Sequence, residues 1–201
     1  MKKKKVIKNF QSFIDLEEFY ISNLTLPIHK EMEETKNILC SKEITNEGKA
    51  KCLIRNAHQK HLIWHKENYK IVINKLAQSK LWERSYNNFE ELYDTVEKEI
   101  MNLKGVGPLT VFDVSKRIGN VLRIEPIEYI YISRGAKKGA ENLLGEKIKE
   151  ERLPVEKFKR FFPSLSPLHI ENVLCILKGY FIKNGINPNH EQEITIYLPK
   201  N

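Results

Sequence analysis

Apolar residues recur at helical spacing over much of this chain, and two of the clearest runs lie back to back. Phe89, Leu92, Tyr93, Val96, Ile100 and Leu103 fall at three- and four-residue steps; Val111, Val114, Ile118, Val121 and Leu122 do the same beyond a short polar break. Each run predicts an amphipathic helix with one face turned to a core. Asn87 and Asn88 supply cap chemistry before the first, and Glu90 and Glu91 put negative charge in its first turn, where the helix dipole favours it. Nearer the start, Phe10, Phe13, Ile14, Leu16, Phe19 and Tyr20 form another apolar helical face. A second helix is expected from Pro27 to Leu39, a polar loop over 41–48, and a longer helical region from Lys49 to Leu76, broken near Lys66. Residues 124–132 are β-branched and aromatic, and fit either a short strand or a helix starting after Pro126. Ser133 is placed to cap a helix from Arg134 to Leu144, closed by Gly145. Ser166-Pro167 opens a helix whose apolar face is Ile170, Val173, Leu174, Leu177 and Phe181, with Asn184-Gly185 as its end. Ile194, Ile196 and Leu198 alternate with polar neighbours, as in a lone strand or an extended tail. The expected fold is mainly α, with at most one or two short strands. It is either a single domain over 1–201 or two helical lobes, 1–86 and 87–201, the second containing the hairpin.

The polar break between the two strongest helices is Lys104-Gly105-Val106-Gly107-Pro108-Leu109-Thr110. Gly105 can take a positive φ and end the first helix. Gly107 has no Cβ to keep a ligand from the backbone. Pro108 suits the first position of the second helix, where its missing N–H costs nothing. The unpaired amides at that helix start, with the positive end of the dipole behind them, suit a phosphate. The plainer reading is a structural corner in which the glycines only make the turn. Helix, Gly-x-Gly-Pro, helix over residues 89–122 resembles the helix-hairpin-helix motif, and the all-α pattern is distantly similar to the helix-hairpin-helix DNA glycosylase fold. The resemblance implies a sequence-independent grip on nucleic-acid phosphate, with DNA favoured over RNA. It does not extend to the family's chemistry. Leu109 stands where bifunctional members carry a catalytic Lys, and Glu125, Ile127 and Glu128 lie near the place of the catalytic Asp.

Composition sharpens this only modestly. The chain has 201 residues, a net charge of +8, a pI near 9.2 and a 41% hydrophobic fraction, which suit a globular protein with acidic partners. Lys, Ile and Asn are abundant throughout, and 26 acidic residues accompany 34 basic ones, so the excess is not that of a polycation. Cys40, Cys52 and Cys175 lack the spacing of a disulfide framework or a zinc site and point to a reducing, cytoplasmic setting. Lys2 to Lys5 are followed by Asp15, Glu17 and Glu18 instead of an apolar signal core, and no run is long enough to span a membrane. The lysine run reads as a frayed, solvated terminus, with a phosphate-binding arm as the alternative.

Arg134, Lys137 and Lys138 cluster at a helix start with the small residues Gly135, Ala136, Gly139 and Ala140. Close backbone approach there serves either a phosphate or a neighbouring helix. Lys104, Lys116 and Arg117 would extend a phosphate track, so the candidate nucleic-acid contacts are Lys104, Gly105, Val106, Gly107, Thr110, Lys116, Arg117, Arg134, Lys137 and Lys138. His58, His61 and His65 share a helical face but are too spread for one closed metal site. No cofactor, metal or catalytic residue is assigned. Two functions of a different class compete with nucleic-acid binding. One is that of a small enzyme, a degenerate glycosylase-like protein or another hydrolase, with a site between helical lobes built on Arg55, His58, Gln59 and Glu128. The second is that of an α-helical interaction protein.

Overall fold

The computed structural model describes residues 2–54 and 66–198. The fold is mainly helical, with short strands confined to small ribbons. The described helices are α1 (Phe13–Leu24), α2 (Leu26–Cys40), α3 (Asn46–Leu53), α4 (Lys66–Ser79), α5 (Phe89–Ile100), α6 (Pro108–Leu122), α7 (Arg134–Leu144), α8 (Glu156–Lys159) and α9 (Pro167–Ile176). Three antiparallel pairs accompany them: β1 (Lys2–Lys8) with β6 (Gln192–Leu198), β2 (Tyr129–Tyr131) with β3 (Arg152–Pro154), and β4 (Phe181–Ile182) with β5 (Gly185–Ile186). Two units result, one from residues 1–30 with 127–201 and one from residues 31–126. The divisions fall at 30/31, inside α2, and at 126/127, not at 86/87. The hairpin helices pack with the helices before them. Glu99 of α5 pairs with Lys75 of α4 at 2.9 Å and with Arg84 at 3.5 Å.

In the 31–126 unit, α5 and α6 form the expected antiparallel pair. Val96, Ile100, Val111, Val114 and Ile118 are fully buried, while Leu103, in the turn, is half-buried. Asn88 caps α5 by accepting the Glu91 amide at 2.8 Å, and Glu91 returns a bond to the Asn87 amide at 2.8 Å, so both ends of the cap are satisfied. Gly119 lets α6 close on its neighbours: a Cβ there would lie 2.4 Å from the Ile124 carbonyl oxygen and 3.3 Å from Phe89.

In the other unit, Leu16, Tyr20, Leu143, Phe158, Phe162, Ile170, Leu174 and Tyr180 are fully buried. Phe10 meets Tyr180 edge-on at 4.8 Å, and Phe13 meets Phe162 edge-on at 5.6 Å. Two expectations change here, and one that was open is decided. Lys2 to Lys5 are not a frayed end but most of strand β1, whose register is set where Val6 faces Ile194 and where Ile194 and Ile196 are buried. Helix α9 stops at Ile176, so Asn184-Gly185 does not end it. Asn184 takes φ +57° in the turn of the β4–β5 ribbon, a conformation Asn tolerates, and Phe181 is buried from a strand. Between Pro126 and Ile132 the chain forms a strand, because Ile130 is buried and pairs with Leu153.

Candidate nucleic-acid interface

The turn between α5 and α6 uses its two glycines differently. Gly105 sits at φ +88°, the left-handed region where a side chain is strained. Gly107, the N-cap of α6, is extended at φ −138° and ψ 177°, and a Cβ there would meet nothing within 4 Å. The Val106 amide donates to Leu103 O at 3.1 Å. The Thr110 and Val111 amides both donate to Gly107 O, at 2.9 and 3.1 Å. The amides of Gly105, Gly107 and Leu109 have no acceptor among the described residues. Ser12, Thr45, Asn88 and Ser133 cap their helices with a side-chain oxygen, whereas Gly107 has none to offer. Lys104 and Leu109 are exposed and Val106 is half-buried, so the turn lies at the surface of its unit. Chemically it presents uncapped N–H groups, a dipole end and one lysine.

The rest of α6 is less available. Thr110 is buried, so its side chain is not a surface contact. Lys116 is half-buried, with its Nζ 3.5 Å from Asp113 and 5.9 Å from the centre of the Phe112 ring. Arg117 is only 3% exposed. Its Nε and Nη2 donate to Glu31 at 3.1 and 2.6 Å, and its Nη1 donates to Leu53 O at 2.7 Å. Arg117 is therefore an internal clamp joining α6, α2 and the end of α3, and it drops out of the phosphate track. The physical reason is its place three residues after Val114 and next to Ile118, on the buried side of the helix.

Arg134, Lys137 and Lys138 belong to the other unit. Arg134 and Lys138 are exposed and Lys137 is half-buried. The small residues beside them have a structural task. A Cβ on Gly139 would lie 2.0 Å from Leu174 O, and one on Gly135 would lie 2.4 Å from Cys175 Sγ. The close approach is thus to α9. The start of α7 is already capped, since Ser133 is buried and its hydroxyl accepts the Ala136 amide at 3.2 Å.

Of the set considered for an enzyme site, Arg55, His58 and Gln59 lie outside the described residues, as do His61 and His65. Glu128 is exposed, and its backbone carbonyl accepts from Val155 N at 2.9 Å, which helps anchor the β2–β3 ribbon. Among the described residues no three His, Cys, Asp or Glu converge on a metal-sized site. A shallow groove of about 460 Å³ is lined by Leu144, Glu146, Glu156, Lys157 and Arg160, and Lys157 pairs with Glu146 across it at 3.1 Å. Glu146 and Lys157 are tied up in that ion pair, and both are exposed, so the lining presents surface charges and not an enclosed catalytic pair. No disulfide joins the three cysteines, and no described helix is long and apolar enough to cross a membrane.

Two features escaped the sequence. The lysine strand had no local strand signal. In the same unit, buried Tyr20 shares a hydrogen bond with Nδ1 of His169 at 2.9 Å, and His29 meets His169 edge-on at 6.0 Å. Burial, and then the charge of Glu171, push the Tyr20 hydroxyl well above the usual tyrosine range. These partners are far apart in sequence, so no local motif marks them. Compared with protein-family models, with curated proteins and with solved structures, the chain matches none.

Proposed function

We propose that the chain binds nucleic acid, DNA in preference to RNA, through the phosphate backbone, using the 104–109 turn, without base preference and without catalysis. The observation that carries this reading is Gly107. Neither its backbone angles nor its surroundings require glycine, and a capping residue there would stabilise α6 by a few tenths of a kcal/mol. What glycine alone provides is an open approach to the uncapped amides, which is what an anion needs. Exposed Lys104 and the net charge of +8 add attraction at longer range. The cytoplasmic setting belongs to the same proposal and rests on cysteines that form no disulfide.

Fluorescence anisotropy with labelled duplex DNA, single-stranded DNA and RNA, over a range of salt, tests it. Binding is expected to be insensitive to sequence and to weaken steeply with salt, because phosphate contacts release counterions. Gly107→Val is expected to weaken duplex binding about tenfold or more while the protein stays folded, the loss of one or two hydrogen bonds to a charged group. Lys104→Gln is expected to weaken it less and to flatten the salt slope by about one. A folded Gly107→Val protein that binds duplex DNA as tightly as wild type makes the turn structural.

A further inference from the structure

Strand β1 carries lysine at Lys2, Lys3, Lys4, Lys5 and Lys8, and the fold holds that run extended. Its partner β6 contributes one acidic residue, Glu193, so the ribbon carries five lysines against one glutamate. Lys3, Lys4, Lys5 and Lys8 are exposed. Lys5 Nζ lies 2.7 Å from Glu193, and Lys8 Nζ lies 5.5 Å above the Phe19 ring. Lys4 has no ion pair among the described residues.

Lysines on an edge strand commonly serve to repel other strands. One or two are enough for that. Here they fill consecutive positions, so both faces of the strand are charged. They include Lys4 opposite the buried Ile196, where an apolar residue would extend the core. Lysine is a poor strand former, and like charges two residues apart on one face repel. A local choice that works against the fold marks a surface kept for another purpose. The geometry supplies one. Same-face lysines on a strand stand about 6.6–6.8 Å apart, a step comparable to that between successive phosphates of one nucleic-acid strand.

We infer that the β1–β6 ribbon is a second phosphate-contact surface, which lays its lysines along the backbone of a nucleic acid whatever its base sequence. The inference rests on the nucleic-acid reading for the identity of the polyanion but not on the hairpin. The ribbon belongs to the other unit and stands or falls separately. An acidic membrane surface also attracts lysines, but it imposes no regular step between charges, so the ordered spacing favours the phosphate chain.

The test uses the full chain, short duplex and single-stranded DNA, and vesicles with and without phosphatidylserine. Lys2, Lys3 and Lys4 are changed together to Gln, and in a second variant together to Arg; circular dichroism and thermal midpoints establish that both are folded. Removing the charges is expected to flatten the slope of log Kobs against log salt by roughly 0.9 for each duplex phosphate no longer neutralised, and by roughly 0.7 for a single strand. The Arg variant is expected to keep the wild-type slope. The ribbon is excluded by an unchanged slope in the folded Gln variant, by a weakening that Arg does not restore, or by phosphatidylserine-dependent vesicle binding without DNA binding. If Gly107→Val binds like wild type while the Gln variant is weakened, the hairpin reading fails and the ribbon stands. If wild type binds no nucleic acid, both fail.

Discussion

Gly105 and Gly107 stand two residues apart and answer to different constraints. Gly105 is required by its φ of +88°, so Gly105→Ala is expected to cost about 1–2 kcal/mol of stability. Gly107 is extended and faces open space. Alanine there forgoes some N-cap preference but restricts the unfolded chain, and the two effects offset. Gly107→Ala is therefore expected to stay within about 0.5 kcal/mol of wild type in urea unfolding. A large loss in that variant would mean that the turn needs this glycine for itself, which removes the ground for a ligand. Arg117 lies at the opposite extreme. Arg117→Met leaves the Leu53 carbonyl and the Glu31 carboxylate without their partner and is expected to cost about 3 kcal/mol, the low end for a broken buried pair. Glu31 is partly exposed and rehydrates, which keeps the figure low. Arg117→Lys is expected to recover little, because one ammonium does not reproduce a guanidinium that donates twice to Glu31 Oε1 and once to the Leu53 carbonyl. Urea midpoints of the two variants decide it; full recovery by Lys would show that charge alone matters.

At the scale of elements, local chemistry was readable and paired chemistry was not. The caps at Asn88 and Ser133, the Pro108 start of α6 and the Gly145 end of α7 follow from neighbours along the chain, and the structure has them. Arg117 looked like a surface cation because periodicity shows which face it shares but not that Glu31 waits there. Gly135 and Gly139 had two uses in the sequence, and only the position of α9 decides between them. That decision has a measurable consequence. A methyl group on Gly139 would meet the Leu174 carbonyl oxygen at 2.0 Å, and neither helix backbone can move without disturbing the buried residues around it. Gly139→Ala is expected to cost about 1–3 kcal/mol through overpacking, whereas its exposed neighbour changed as Lys138→Gln is expected to stay within about 0.5 kcal/mol. Thermal unfolding of the pair checks the contrast; equal midpoints would mean that α7 and α9 are not in close contact.

At the scale of the molecule, the sequence showed a mainly helical chain but not how it divides. The unit that joins residues 1–30 to 127–201 is closed by pairings such as Lys4 with Ile196, which no local pattern reveals. Its charge also misled, because a run of lysines normally favours solvent over a strand. Buried or half-buried tyrosines give each unit a further property that composition hides. Tyr20 and Tyr180 lie in one unit and Tyr86 in the other, and burial is the first cause raising each hydroxyl above its ordinary value. A raised folded-state value means that the native protein holds the proton more tightly than the unfolded chain. The resulting stability is fully present below the unfolded tyrosine value near 10 and is lost as pH rises through the higher native values. Tyr20 is the best placed of the three to show this, being fully buried and set near Glu171. At neutral pH, Tyr20→Phe is expected to be less stable by about 1 kcal/mol, because it loses the bond to His169. Between about pH 9 and pH 11 the wild type should lose stability faster than the variant, since the variant has no proton to lose at that site. Urea midpoints for both proteins across that interval should therefore converge. If they run parallel, Tyr20 does not contribute to the alkaline limit of the fold.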